Sequence, residues 1–269
     1  MRSIALAVAV GVLAVGATGC GSGARNAIDP VAQAADATAK AGTSKVDITM
    51  QLAPNGRAPI TITGAGVMDQ SSGDAALTYD FSALTSRLGD QATGTTAEEV
   101  FKDNVIYMRL PVKGTPGGKP WMKIDLADAQ KYAGLKQTAP TTYASPTDSI
   151  KALGDAGNSE TVGQETVDGV QTTHYRTTVD VQKLLHARSE NPARTQRVLR
   201  QSPFANVKQE QFDVWIDSDD LIRKLVYALG PTGTFAMTFS DFGVPANVTA
   251  PPEEETFDGV ALMRQNGGG

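Results

Sequence analysis

The 269-residue chain is poor in the side chains from which catalytic centres and cross-links are most often built. It has one cysteine, Cys20, so neither a disulfide framework nor a multi-cysteine zinc site can form within it. Its two histidines, His174 and His186, lie in separate segments with no second histidine nearby, and no metal site is expected from them. There is no Gly-x-Ser-x-Gly elbow, no P-loop and no dinucleotide fingerprint. The run Gly114 to Lys119 reads as a proline-bearing hairpin turn rather than a phosphate loop. Basic residues are outnumbered, 24 Lys and Arg against 29 Asp and Glu, and they form no cluster. Electrostatic binding of nucleic acid or of anionic headgroups is therefore not expected. No apolar run approaches the roughly 20 residues needed to cross a hydrocarbon core. Nothing in this inventory calls for a cofactor, and the chain is not expected to be an enzyme.

What is present starts at the N-terminus. Arg2 precedes an uninterrupted apolar run from Ile4 to Val15, and small residues follow. That pattern is an export signal. Ala17-Thr18-Gly19-Cys20 resembles the lipobox of bacterial lipoproteins, with Ala17 where Leu is usual. The resemblance implies a signal peptide over 1–19, lipidation of Cys20, and a short tether over 20–28. It places the protein on the extracytoplasmic face of the cytoplasmic membrane. One acyl chain holds a protein only marginally, whereas two anchor it stably. A plain secretory peptide cut near Ala14 or Ala17 is the alternative, and it would leave a free thiol.

Asp29 and Pro30 suit the N-cap and first turn of a helix, with Val31, Ala34, Ala35 and Thr38 on one face and Gly42 as the stop. The period then changes to two. Strands are expected over Val46–Leu52, Ile60–Met68, Ala75–Phe81, Val100–Leu110, Trp121–Asp125, Ser159–Thr166, Gly169–Val179, Gln211–Asp217, Leu221–Leu229 and Gly233–Phe242. Short helices are expected over Leu126–Gly134 and Pro146–Gly154, and an interrupted one over Val181–Gln201. The acidic pairs Asp213/Asp217 and Asp219/Asp220 read as turn residues, and Trp121 and Trp215 as packing groups. The globular domain is expected to span 29–251. The tail over 252–269, with Glu253, Glu254 and Glu255, is expected to fray.

A sheet with one apolar face must have that face covered. The expected class is therefore α+β, a curved antiparallel half-barrel whose concave face is covered by helices. Three motifs sharpen this: Trp121-Met-Lys-Ile-Asp125, Val167-Asp-Gly-Val-Gln-Thr-Thr-His174-Tyr175, and Asp213-Val-Trp215-Ile-Asp217 followed by Leu221-Ile-Arg-Lys224. With the ending Phe239-Ser-Asp-Phe-Gly-Val-Pro245, they resemble the LppX/LprAFG family of actinobacterial lipoproteins. That resemblance implies a LolA/LolB-like fold enclosing an apolar cavity for acylated lipids, glycolipids or lipoglycans. The cavity candidates are Val46, Ile48, Met50, Ile60, Ile62, Leu77, Tyr79, Phe81, Phe235, Met237 and Phe239. The rival is a non-catalytic interaction or regulatory module with a packed interior, such as a transporter partner or an envelope-stress sensor.

Overall fold

The computed structural model describes residues 29–53, 58–133, 158–180, 189, 191–200, 209–228 and 233–266. Cys20, the signal peptide, His186 and the helix expected over Pro146–Gly154 lie outside the described residues, as does most of 181–201 apart from its C-terminal part. Twelve strands form one sheet: β1 (Thr43–Leu52), β2 (Ile60–Asp69), β3 (Ala75–Asp80), β4 (Thr96–Lys102), β5 (Val105–Arg109), β6 (Trp121–Asp125), β7 (Asn158–Val167), β8 (Val170–Asp180), β9 (Gln209–Asp217), β10 (Ile222–Ala228), β11 (Gly233–Ser240) and β12 (Thr256–Asp258). Their spatial order is β12-β6-β5-β4-β3-β2-β1-β11-β10-β9-β8-β7, so the sheet is open at both ends. Every pairing is antiparallel except that of β12 with β6.

The described helices are α1 (Pro30–Lys40), α2 (Ser82–Thr85), α3 (Leu126–Ala133), α4 (Pro192–Arg200) and α5 (Gly259–Asn266). The α+β class is as the alternation of the sequence indicates, and the sheet is an open, curved one. Two strand expectations need correction. The strand expected over Val100–Leu110 is a hairpin of β4 and β5, because Asp103 and Asn104 both adopt positive φ and fold as a tight two-residue turn. The strand expected to end at Phe81 stops at Asp80, and Phe81 opens α2.

Alternation puts one set of side chains inside. Across the centre of the sheet the register aligns Tyr175, Val214, Leu225, Met237, Ile48, Gly64, Tyr79 and Ala97, one from each of eight adjacent strands. Gly64 is small for a reason: a Cβ there would lie 2.5 Å from the Tyr79 ring, which lies across it. At Gly66 the neighbouring strand itself intrudes, with the Ala76 carbonyl oxygen 2.0 Å from where a Cβ would sit. The sheet curls about this layer.

Helices cover the inner face, as its apolar character requires. The Asp29 carboxylate caps α1, accepting from the Val31 and Ala32 amides at 2.9 and 3.4 Å. Val31, Ala32, Ala34, Ala35 and Thr38 are buried against the sheet, and their small size lets α1 lie close to β9 and β10. Thr38 Oγ1 accepts from the backbone amide of Ile222 at 2.9 Å, beside a β10 irregularity between Ile222 and Lys224. The helix therefore satisfies an amide next to the break in the ladder. Ala83 and Leu84 of α2 pack on the same cluster.

The tail expected to fray after Pro251 is instead ordered through Asn266. A 3₁₀ turn at Glu253–Glu255 leads to β12, and α5 follows, packing against β6 and α3. Val260, 1% exposed, joins Ile106, Ile124 and Leu126 in a second small core. Lys119 Nζ donates to the Thr256 carbonyl at 2.8 Å. The tail has a defined place because the edge of β6 and the outlying apolar side chains of β5 and β6 need a cover.

The two inward glycines should respond differently to a methyl group. Gly66→Ala meets backbone and is expected to cost about 3 kcal/mol or more, whereas at Gly64 a ring can yield and the cost should be nearer 1–2 kcal/mol. Urea unfolding midpoints, with an unchanged slope, measure both.

Candidate functional site

All the cavity candidates named from the sequence fall in one cluster on the inner face. Val46, Ile48, Ile60, Ile62, Leu77, Tyr79, Met237 and Phe239 are buried; Met50, Phe81 and Phe235 are half-buried against them. Phe81 reaches the cluster from the start of α2 rather than from a strand. Burial is graded along β1 and β11, whereas Ile60 and Ile62 of β2 and Phe212 of β9 stay buried at the end where it falls off. On β1, Val46 is 1% exposed and Ile48 2%, while Met50 and Leu52 beyond them are only half-buried. On β11 the same change runs from Phe239 at 1% to half-buried Phe235. The end holding Val46 and Phe239 is sealed, on the side where Thr38 holds Ile222. The other end is a partly accessible apolar tier. There Phe212, Tyr227 and Phe235 run ring to ring, with centroids 5.5 and 4.9 Å apart, beside Met50.

One polar group on this face was not singled out from the sequence. Glu99 lies between Ala97 and Phe101 of β4, both of which belong to the inner cluster, and opposite Leu77 and Met108. The Tyr79 hydroxyl donates to its Oε2 at 3.1 Å. Protein surrounds Glu99 closely while leaving it partial access, and this burial pushes its carboxyl above the ordinary value; the Tyr79 hydrogen bond offsets only part of that. Burial, with Glu99 as neighbour, pushes the Tyr79 phenol well above its ordinary value, so it stays a donor. The clue in the sequence was strand parity: in Glu98-Glu99, Glu98 pairs outward with Arg109, which leaves Glu99 inside.

The motif residues His174, Trp215 and Asp213 meet on the opposite, outer face. His174 Nδ1 lies 3.0 Å from Glu165 Oε1, and its Nε2 lies 2.8 Å from Asp213 Oδ1. The imidazole stacks on Trp215 with ring centroids 4.1 Å apart. Trp215 Nε1 donates to Glu165 Oε2 at 2.9 Å, and Arg176 Nε donates to Asp213 at 2.9 Å. Lys224 Nζ stands 4.7 Å over the indole. Both imidazole nitrogens, both Glu165 oxygens and the indole N–H have partners, so the arrangement holds β7 to β10 in register. Asp217, also read as a turn residue, accepts from the amides of Asp219 and Leu221, each at 2.9 Å, and so shapes the β9–β10 turn. Trp121 packs at the far end of the sheet, with the Arg109 guanidinium 5.3 Å from its ring.

Two shallow depressions of about 390 Å³ each also mark the surface. One is lined by outward residues such as Asp47, Thr63, Thr78 and Asp80, the other by Thr93, Glu98 and Arg109 among others. Both lie open to solvent rather than enclosed. Among the described residues no group of three or more His, Cys, Asp and Glu is placed to hold a metal ion. No described helix is long and apolar enough to cross a membrane.

No family model matches the chain. It is 29% identical over 235 residues to an uncharacterised 31.2 kDa protein of Streptomyces griseus from the rplA–rplJ intergenic region, covering 84% of this chain and 75% of the relative. It is 26% identical over 241 residues to the Streptomyces coelicolor protein SCO4650, provisionally named a lipoprotein, covering 86% and 74%. Among solved structures it is similar to the lipoprotein LppX of Mycobacterium tuberculosis, at 14% identity and a TM-score of 0.46, covering 81% of this chain and 98% of that one. It is also similar to LprF of Mycobacterium bovis, at 15% identity and a TM-score of 0.41, covering 82% and 96%.

The outer network has a consequence for acid stability. Hydrogen bonds from Trp215 first, and from His174 second, hold the Glu165 carboxyl below its ordinary value of 4.5. A carboxyl held lower when folded contributes stability that is complete above the unfolded value and disappears as pH falls through the folded one. Glu165→Gln should therefore lower stability near neutral pH and flatten its fall below about pH 4.5. Urea midpoints taken from roughly pH 3 to 7 read the difference.

Proposed function

We propose that this chain is a membrane-anchored envelope lipoprotein of the LppX/LprAFG type. It binds an acylated lipid, glycolipid or lipoglycan between its curved sheet and covering helices, and carries or presents that molecule without chemistry of its own. The observation that carries the reading is the inner face itself: one continuous apolar layer, sealed where α1 crosses and half-accessible at Met50, Leu52, Phe81 and Phe235. Such a layer supplies what an acyl chain lacks in an aqueous gap. At about 0.8 kcal/mol per methylene, a 16-carbon chain exposed to water costs on the order of 12 kcal/mol, so shielding, not catalysis, is the service required.

The lipobox-like Ala17-Thr18-Gly19-Cys20 and the provisional lipoprotein name of the Streptomyces coelicolor relative support the anchor. On this reading Cys20 carries the acyl chains and the protein sits on the extracytoplasmic face of the cytoplasmic membrane. The tether from Cys20 to Asp29 can extend at most about 30 Å, so the domain works against the outer leaflet. A transporter that loads or unloads it is the partner this arrangement would need.

Native mass spectrometry of residues 21–269 from an actinobacterial host should show an added mass in the lipid range. Ile62→Trp or Met237→Trp should remove it by filling the layer. A clean unliganded mass after incubation with envelope lipids would sink the carrier reading and favour a packed interaction module. For the anchor, Cys20→Ser should move the full-length protein from the membrane to the soluble fraction and abolish metabolic labelling with palmitate. Unchanged labelling would place the lipid elsewhere.

A further inference from the structure

An inner face built only to hold hydrocarbon would have no use for a carboxyl group, yet Glu99 stands within it. Its neighbours along β4 are Ala97 and Phe101, and those across the ladder are Leu77 and Met108. Among the described residues no cation pairs with it, and its single hydrogen bond comes from Tyr79 to Oε2. A carboxyl has about four acceptor sites on its two oxygens, so most of its capacity is unused. Glu99 is only half-buried, so its free oxygen is open to water or to the hydroxyl of a ligand.

We propose that Glu99 and Tyr79 form a polar subsite inside the apolar layer that receives a hydroxyl of the bound lipid's uncharged head, such as a glycerol or sugar hydroxyl, and turns away anionic heads. This rests on the lipid-binding reading and adds the class of head the interior accepts. The chemistry favours a hydroxyl over the alternatives. A phosphate would bring acceptors and negative charge against a carboxyl. Burial pushes the carboxyl above its ordinary value because these surroundings disfavour charge, and a hydroxyl can donate to the free oxygen of Glu99 without bringing a second charge into the apolar layer. The Tyr79 phenol, itself held neutral by burial, has an oxygen lone pair free to accept from the same head. Tyr79 is also fixed in place, because its ring lies across Gly64.

The test uses the full-length chain, loaded from mixtures of chain-matched dipalmitoylglycerol, its monoglucosyl derivative, phosphatidylglycerol and phosphatidylethanolamine, with occupancy read by native mass spectrometry. The wild type should take the two uncharged lipids over phosphatidylglycerol by about tenfold or more, one hydrogen bond's worth of discrimination. Glu99→Leu should erase that preference while still binding lipid, Tyr79→Phe should weaken it, and Glu99→Gln should keep part of it. Thermal unfolding of each variant checks that the domain is intact. Equal uptake of all four lipids by the wild type, or a preference that survives Glu99→Leu, would overturn the subsite and leave the carrier reading standing. Selective uptake of phosphatidylethanolamine would overturn it in favour of a cationic head. No uptake of any lipid would overturn the carrier reading, and the subsite with it.

Discussion

An apolar face as wide as this sheet cannot be left in water, and most of the structure is a response to that. A strand pair with one wet face and one dry face is only half a solution. The sheet meets the demand partly by curling around its inner face. It meets the rest with helices made thin enough to fit. Ala32, Ala34 and Ala35 give α1 a shallow face, and Thr38 fastens it to the sheet at the Ile222 amide. Inward glycines on β2 do the same work from the other side: Gly64 makes room for the Tyr79 ring and Gly66 for the backbone of β3.

The two faces divide the labour. Outside, polar side chains pair closely: Lys45 with Asp241, Lys102 with Asp74, and the Glu165, His174, Asp213 and Arg176 group around Trp215. Exposed pairs of this kind contribute little individually, but the buried imidazole and indole tie three adjacent strands to one another. Inside, the only carboxyl described above is Glu99, and it is the one that lacks a full set of partners.

Much of this was written in the sequence because alternation is a local signal. Val46, Ile48 and Met50 on one strand, and Phe235, Met237 and Phe239 on another, announce their faces by parity alone, and the register sets them side by side. What was hidden depended on information that is not local. Asp103-Asn104 interrupts a run that otherwise alternates smoothly, and only the left-handed backbone of both residues splits it into two strands. The C-terminal segment looks like a charged tail because of Glu253 to Glu255. Its helix exists because Val260 finds Ile106 and Ile124, far back in the chain. Glu99 was passed over for a similar reason. A carboxylate in a strand reads as solvent-facing until the pairing of Glu98 with Arg109 assigns the faces.

The sheet is open, and its two margins are unlike each other. One is the three-residue β12, preceded by three glutamates and followed at once by α5. The other, β7, is long but polar and mostly exposed, and it is broken by an irregularity between Thr161 and Gly163. Neither margin offers the flat, apolar ladder that lets one molecule zip onto the next. Copies of this protein can therefore be crowded shoulder to shoulder without fusing into a continuous sheet. For a chain tethered to a membrane as proposed above, where neighbours would meet far more often than in free solution, that restraint would matter as much as the interior.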